Sequence, residues 1–125
     1  TAKSLENYNL LNELKSNNNI SLTGPMAYFD FQHLVLNCRF VITDSGGIQE
    51  ETSFRQIPCI TLRQNTERPV TVDLGSNVLM DMNVKDVSKT VDDILSGNWK
   101  ESKVPPMWDG HATERILEQI KTDLT

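Results

Sequence analysis

The sequence predicts an α/β fold, and three observations carry the prediction. Short apolar segments at residues 20–23, 39–43, 59–62 and 77–80 alternate with stretches of helical periodicity. Those segments are apolar throughout instead of alternating apolar with polar, the mark of a parallel sheet covered on both faces. At residues 43–51 the run TDSGGIQEE passes from a strand through two glycines into a first helical turn. Together they predict an open, Rossmann-like three-layer αβα arrangement with a parallel sheet.

Each element has its own local cause. Leu5, Tyr8, Leu11 and Leu14 make one helix, ended by the polar residues 17–19. Residues 20–23 read as a strand closed by Gly24 and Pro25. From about Tyr28 a second helix places Phe31, Leu34, Val35 and Cys38 on a core-facing stripe. The aromatic and β-branched residues 39–43 form the next strand, and Asp44 or Ser45 caps a helix that runs to about Arg55. Residues 59–62 are another strand, 63–68 a polar loop, and Pro69 suits the first turn of a short helix reaching about Leu74. A strand at 77–80 precedes the amphipathic helix of Val84, Val87, Val91, Ile94 and Leu95, which Gly97 ends. After a proline-containing loop, Trp108 and the N-cap candidate Asp109 lead into a helix carrying Ile116, Leu117 and Ile120.

Composition excludes several classes of function. With 125 residues the chain is long enough for one modest core, and a net charge of −5 without a basic cluster argues against nucleic acid. No apolar run approaches the ~20 residues that cross a bilayer, so neither a membrane nor a secretory route is expected. Cys38 and Cys59 lack metal-ligand spacing and read as reduced core thiols, which fits the cytoplasm. The Asn19, Ile20, Ser21 sequon is then incidental. The chain opens with Thr1 inside a helix rather than with Met, as expected of a piece of a longer chain.

The glycine run carries the chemistry. A helix start presents unpaired N–H groups and the positive end of its dipole, worth about 0.3–1 kcal/mol to an exposed anion, and glycine lets a phosphate touch the backbone. The run lacks the lysine of a phosphate-binding P-loop, and a glycine pair that merely turns a corner is the plainer alternative. In open α/β sheets ligands lie outside the carboxyl ends of the strands, where the exits at Thr43 and Leu62 place the glycine turn and the 63–68 loop at one pocket. Arg63 and Arg68 both stand on that loop. Arg68, fixed by Pro69, is the better phosphate clamp, against the alternative of a surface pair with Glu67. Glu51, one helical turn after Gly47, is placed to accept hydrogen bonds from vicinal hydroxyls, or simply complements the dipole. Glu50, rotated about 100° away, faces solvent or supports the fold. Tyr28 and Phe31 offer a surface for a planar base, although the Phe31 ring also belongs to the core stripe. His33 and His111 have neither an evident acid partner nor metal spacing and receive no role.

TDSGGIQEE, the quartet Thr66, Glu67, Arg68, Pro69 and the late WDGHA with its ERI together resemble the C-terminal part of the non-hydrolysing UDP-N-acetylglucosamine 2-epimerases. The resemblance runs from the first helix to the last. It implies that residues 1–125 are a partial C-terminal Rossmann-like UDP-binding domain of a GT-B fold, in which substrate lies between two Rossmann-like halves. It implies interconversion of UDP-GlcNAc and UDP-ManNAc by elimination and re-addition of UDP, serving cell-surface polysaccharide synthesis and requiring no cofactor. Ser45, Gly46 and Gly47 would bind the diphosphate, Arg68 the phosphates, Glu51 the ribose hydroxyls and Phe31 the uracil. Met26, near the base, would offer only backbone polarity. Hydrolysing relatives show a more serine-rich turn, so SGGIQEE favours the non-hydrolysing branch.

The family's acids and bases belong to an N-terminal domain, and a diphosphate-binding histidine lies near the start of the C-terminal one; neither is in this chain. The chain alone is therefore expected to be inactive, with a UDP-sugar, the missing N-terminal domain and a second copy in a homodimer as partners. In the strand order 3-2-1-4-5-6 it would supply strands 3, 4, 5 and 6 without strands 1 and 2. The first strand would then rearrange, or the chain would dimerise through the open edge. Two further readings stay open: the nucleotide-sugar half of a GT-B glycosyltransferase, and a non-catalytic UDP-sugar-binding module.

Overall fold

The structure, a computed structural model, describes residues 2–124. The chain divides into two compact units, one reaching to Phe31 and the other starting at Gln32. In the first, two helices, α1 (Ala2–Asn7) and α2 (Leu10–Ser16), stand where one was expected. Asn9 separates them with a φ of 56°. Asparagine tolerates that left-handed backbone, which an α-helix cannot continue through. Residues 20–23, expected as a strand, are exposed irregular chain. A strand exists by pairing with a neighbour, and among the described residues the only sheet contains no partner for this segment.

The unit boundary falls within α3 (Tyr28–Asn37). Its buried residues are Gln32 and Val35, while Leu34 is exposed, so the core-facing stripe is turned from the one expected. Gln32 is inside because both ends of its amide are used: Nε2 donates to Glu51 Oε2 at 2.5 Å and Oε1 accepts from the Arg55 guanidinium at 2.9 Å. A buried amide so satisfied costs little.

The second unit is built on a parallel sheet of β1 (Val41–Thr43), β2 (Cys59–Thr61) and β3 (Asn77–Leu79), in that spatial order. Val41 lies opposite Cys59, and Cys59 opposite Asn77. The middle strand is buried along its length, as a parallel sheet with helices requires. Around it follow α4 (Gly46–Arg55), α5 (Pro69–Asp73), α6 (Val84–Leu95) and α7 (Ala112–Asp123). Asn83 caps α6 by accepting the Lys85 N–H at 3.1 Å, and Gly97 follows it at φ 80°, where glycine avoids strain.

The core is more polar than the pattern of apolar residues suggested. Beside Val35, Ile57, Cys59, Ile60 and Ile94 it buries Gln49, Thr52, Ser53, Thr61, Thr71, Ser76 and Asn77. Most of these are paired inside it. Thr61 Oγ1 donates to Asn77 Oδ1 at 2.7 Å, Ser76 Oγ to Ile57 O at 2.6 Å and Thr52 Oγ1 to Ile48 O at 2.7 Å. Gly75 fits between α4 and α5, where a Cβ would collide with Ser53 Oγ and lie 2.7 Å from Thr71 O. Lys100 Nζ donates to the carbonyls of Val72 and Asn77, and burial pushes its pKa down against the attraction of Asp73. Both cysteines are free; burial raises both thiols, and Cys59 is fully enclosed.

At the start of α7 the N-cap is His111 rather than Asp109. Asp109 acts two residues earlier, accepting the His111 N–H at 3.0 Å and gripping Arg115 through both oxygens at 2.9 Å. Arg115 also donates to Met107 O at 2.9 Å, which ties the preceding loop to the helix. His111, expected to lack an acid partner, has one: its Nδ1 is 2.9 Å from Glu114 Oε2 on the exposed helix surface. Ile116, Leu117 and Ile120 all remain exposed. No helix among the described residues is long and apolar enough to cross a membrane.

Candidate anion-binding site

Two residues, Asp44 and Ser45, lie between the strand exit at Thr43 and the helix start at Gly46, and Ser45 leads the chain into the helix. Its backbone is extended, with φ −84° and ψ 132°, and it is the N-cap of α4. The Ser45 N–H donates to Thr43 Oγ1 at 3.1 Å, and its side chain makes no capping bond to the helix. Asp44, the other N-cap candidate, is exposed. The N–H groups of Gly46, Gly47 and Ile48 open the helix and have no intrahelical acceptor. They point, with the helix dipole, to where an anion is favoured.

Neither glycine is demanded by the fold itself. Neither has a positive φ, and beyond its chain neighbours and its own helix backbone a Cβ on either would meet nothing within 4 Å. Glycine inside a helix costs roughly 0.5–1 kcal/mol relative to alanine, so the pair is not explained by a tight corner.

The 63–68 loop comes to the same helix. Arg68 Nε lies 2.9 Å from Glu50 Oε1, with both side chains a little under half exposed. Arg68 also donates to Glu67 O at 3.3 Å; its carboxylate partner is thus Glu50, not Glu67. Thr66 Oγ1 donates to Gln49 Oε1 at 2.6 Å and accepts the Arg68 N–H at 3.0 Å. Gln49, fully buried, donates from Nε2 to Ser45 O at 3.3 Å, and its Oε1 also accepts from Asn77 Nδ2 at 3.1 Å. Arg68 O accepts from Thr71 Oγ1 at 2.7 Å, which in turn accepts from Asn77 Nδ2 at 3.2 Å. Glycine turn, loop and sheet are thereby joined through side chains.

Glu51 is half-buried, and Gln32 holds one of its oxygens. Arg63 lies at the strand exit with its N–H bonded to Thr61 O at 2.9 Å. The second unit therefore brings together Ser45, Gly46, Gly47, Glu51 and Arg68. Phe31 and Met26 belong to the first unit, the former half-buried and the latter exposed. Gln49, Thr66 and Gln32 are the structural participants that pattern reasoning passed over. Thr66 and Gln49 sat within the quoted motifs, and Gln49 four residues after Ser45 is the spacing at which a side chain meets a helix's own cap. Among the described residues no group of three His, Cys, Asp or Glu side chains is placed to hold a metal ion.

Known proteins resemble this chain in sequence and in fold. The chain is 43% identical over 119 residues to the UDP-N-acetylglucosamine 2-epimerase of Methanocaldococcus jannaschii, a match covering 94% of this chain and 31% of that protein. A crystal structure of the M. jannaschii UDP-GlcNAc 2-epimerase in complex with UDP-GlcNAc and UDP superposes with a TM-score of 0.78 at 41% identity, over 98% of this chain and 33% of that one. The UDP-GlcNAc 2-epimerase of Neisseria meningitidis bound to UDP-GlcNAc gives a TM-score of 0.77 at 26% identity, over 90% and 32%. The chain thus spans about a third of the length of the relatives it matches. The sequence model for UDP-N-acetylglucosamine 2-epimerase matches residues 2–121, nearly the whole chain, and the chain belongs to that family.

Proposed function

We propose that this chain is the C-terminal, UDP-binding part of a UDP-N-acetylglucosamine 2-epimerase of the non-hydrolysing kind, interconverting UDP-GlcNAc and UDP-ManNAc. One observation carries the reading. Two glycines occupy the first turn of α4 where neither backbone geometry nor packing asks for them, and close approach of a diphosphate to the N–H groups of Gly46 and Gly47 gives them a reason. Arg68, 2.9 Å from Glu50, is a cation on a neighbouring loop at the same helix, and a guanidinium prefers bidentate phosphate to a half-exposed carboxylate. Binding would exchange Glu50 for phosphate oxygens. Ser45 contributes a hydroxyl not used in capping. Glu51, oriented by Gln32, presents its other oxygen to the ribose hydroxyls.

The mechanism follows from what these groups can do. Elimination breaks the bond between the anomeric carbon and the diphosphate, so negative charge grows on the leaving oxygens. Fixed N–H dipoles and Arg68 stabilise that charge and hold UDP in place for its re-addition. The proton transfers at the sugar carbon belong to acids and bases of the domain that relatives carry and this chain does not. A calorimetric titration with UDP tests the reading: saturable binding by the chain and a loss of about tenfold or more in Arg68→Ala are expected. Equal affinity in both would remove Arg68 from the site.

A further inference from the structure

We infer that Gln49 and Thr66 form a side-chain coupling that sets the glycine turn and the Arg68 loop in register, making them positioning residues for the anion site. The inference rests on the UDP-binding reading for its purpose, though not for its geometry. Two elements that must grip one diphosphate come from different strand exits, 43 and 61, and among the described residues no main-chain bond joins the turn at Ser45 to the loop at Thr66. The side chains supply the connection. Gln49 Nε2 donates to Ser45 O at 3.3 Å, the carbonyl that leads directly into Gly46, while Gln49 Oε1 accepts from Thr66 Oγ1 at 2.6 Å. The same threonine oxygen accepts the Arg68 N–H at 3.0 Å. A path of three hydrogen bonds therefore runs from the peptide before the first glycine to the peptide of the arginine.

Both ends are anchored. Asn77 Nδ2, from the edge of the sheet, holds Gln49 Oε1 at 3.1 Å and Thr71 Oγ1 at 3.2 Å, and Thr71 Oγ1 donates to Arg68 O at 2.7 Å. Gln49, Thr71 and Asn77 have no exposed surface. The two bonds from Asn77 are buried, where a low-dielectric setting strengthens them. Glutamine is the side chain the position requires, because it must donate to one partner while accepting from two others. Thr66 is only half-buried, so its hydroxyl can be removed without opening the core.

The test compares Thr66→Ser, which keeps the hydroxyl, with Thr66→Val, which keeps the shape. Amide spectra of the chain would be recorded without additions and then during titration with UDP. In Thr66→Val the Gly46 and Arg68 amide resonances should move while those of α6 and α7 stay, and UDP affinity should fall about tenfold, the scale of one or two lost hydrogen bonds. Thr66→Ser should match the wild type within about twofold in both readouts. Unmoved Gly46 resonances in Thr66→Val would overturn the coupling, and so would a change equal in the serine variant. If the wild type fails to bind UDP, the functional reading falls, and the ligand-independent Gly46 shift still decides the coupling.

Discussion

Charge at the residue scale is arranged in opposing pairs that do different work. Arg68 and Glu50 are both accessible, so their attraction is weak and screened, on the order of 0.2–1 kcal/mol. That weakness suits a cation that must change partners. Asp109 and Arg115 form the contrasting pair: two-pronged and reinforced by the His111 N–H, it locks a loop to a helix. The hydrogen bonds from Arg115, then that from the His111 backbone, bring the Asp109 pKa from 3.8 to about 2. Because the folded value lies below the unfolded one, the stability from this clasp is present above pH 3.8 and is lost as pH falls through about 2. A carboxyl-carbon NMR titration should show an Asp109 midpoint near 2, and Arg115→Gln should return it toward 3.8; an unchanged midpoint would remove Arg115 as the cause. Motif reading singled out Ser45, Gly46, Gly47, Glu51 and Arg68 because each type announces its chemistry. Gln49 and Gln32 were invisible to it, since a glutamine gives no sign of burial until its partners are known.

Elements were legible where local rules govern them. The helix at 84–95 follows from its apolar period and Gly97 after it. Pro69 opens α5 as its fixed φ predicts. Failures came where a partner decides. Residues 20–23 have a strand's composition without a neighbour to pair with, and the stripe of α3 turned because Gln32, not Leu34, found partners inside. Gly75 shows the same dependence. Its φ is ordinary, and only Ser53 and Thr71 reveal why no side chain fits. Gly75→Ala forces α4 and α5 apart and should cost about 1–3 kcal/mol in denaturant unfolding. A neutral substitution would show that the contact relaxes freely.

At the scale of the whole molecule, the α/β class and the parallel sheet were legible, and the number of strands was not. β1 lies at the edge of the sheet in the order β1-β2-β3. The Val41 N–H donates to Pro58 O and Thr43 O accepts the Leu62 N–H, so the peptide groups of Ile42 between them face outward. In the proposed parent, strands from the remaining two-thirds would continue the sheet there. On the proposed reading that remainder would also hold the acids and bases of the reaction, so the purified chain, freed of full-length enzyme, should bind UDP without turning over UDP-GlcNAc. Turnover would mean that the chemistry resides in residues here assigned to binding.

The central claim is that the first turn of α4 and Arg68 grip a diphosphate. A crystal structure of the chain with UDP tests it most directly. The diphosphate is predicted within about 3 Å of the Gly46 and Gly47 nitrogens and of the Arg68 guanidinium, with Glu50 released. UDP bound elsewhere, or bound with the Arg68 to Glu50 pair intact and the glycine nitrogens untouched, would contradict it.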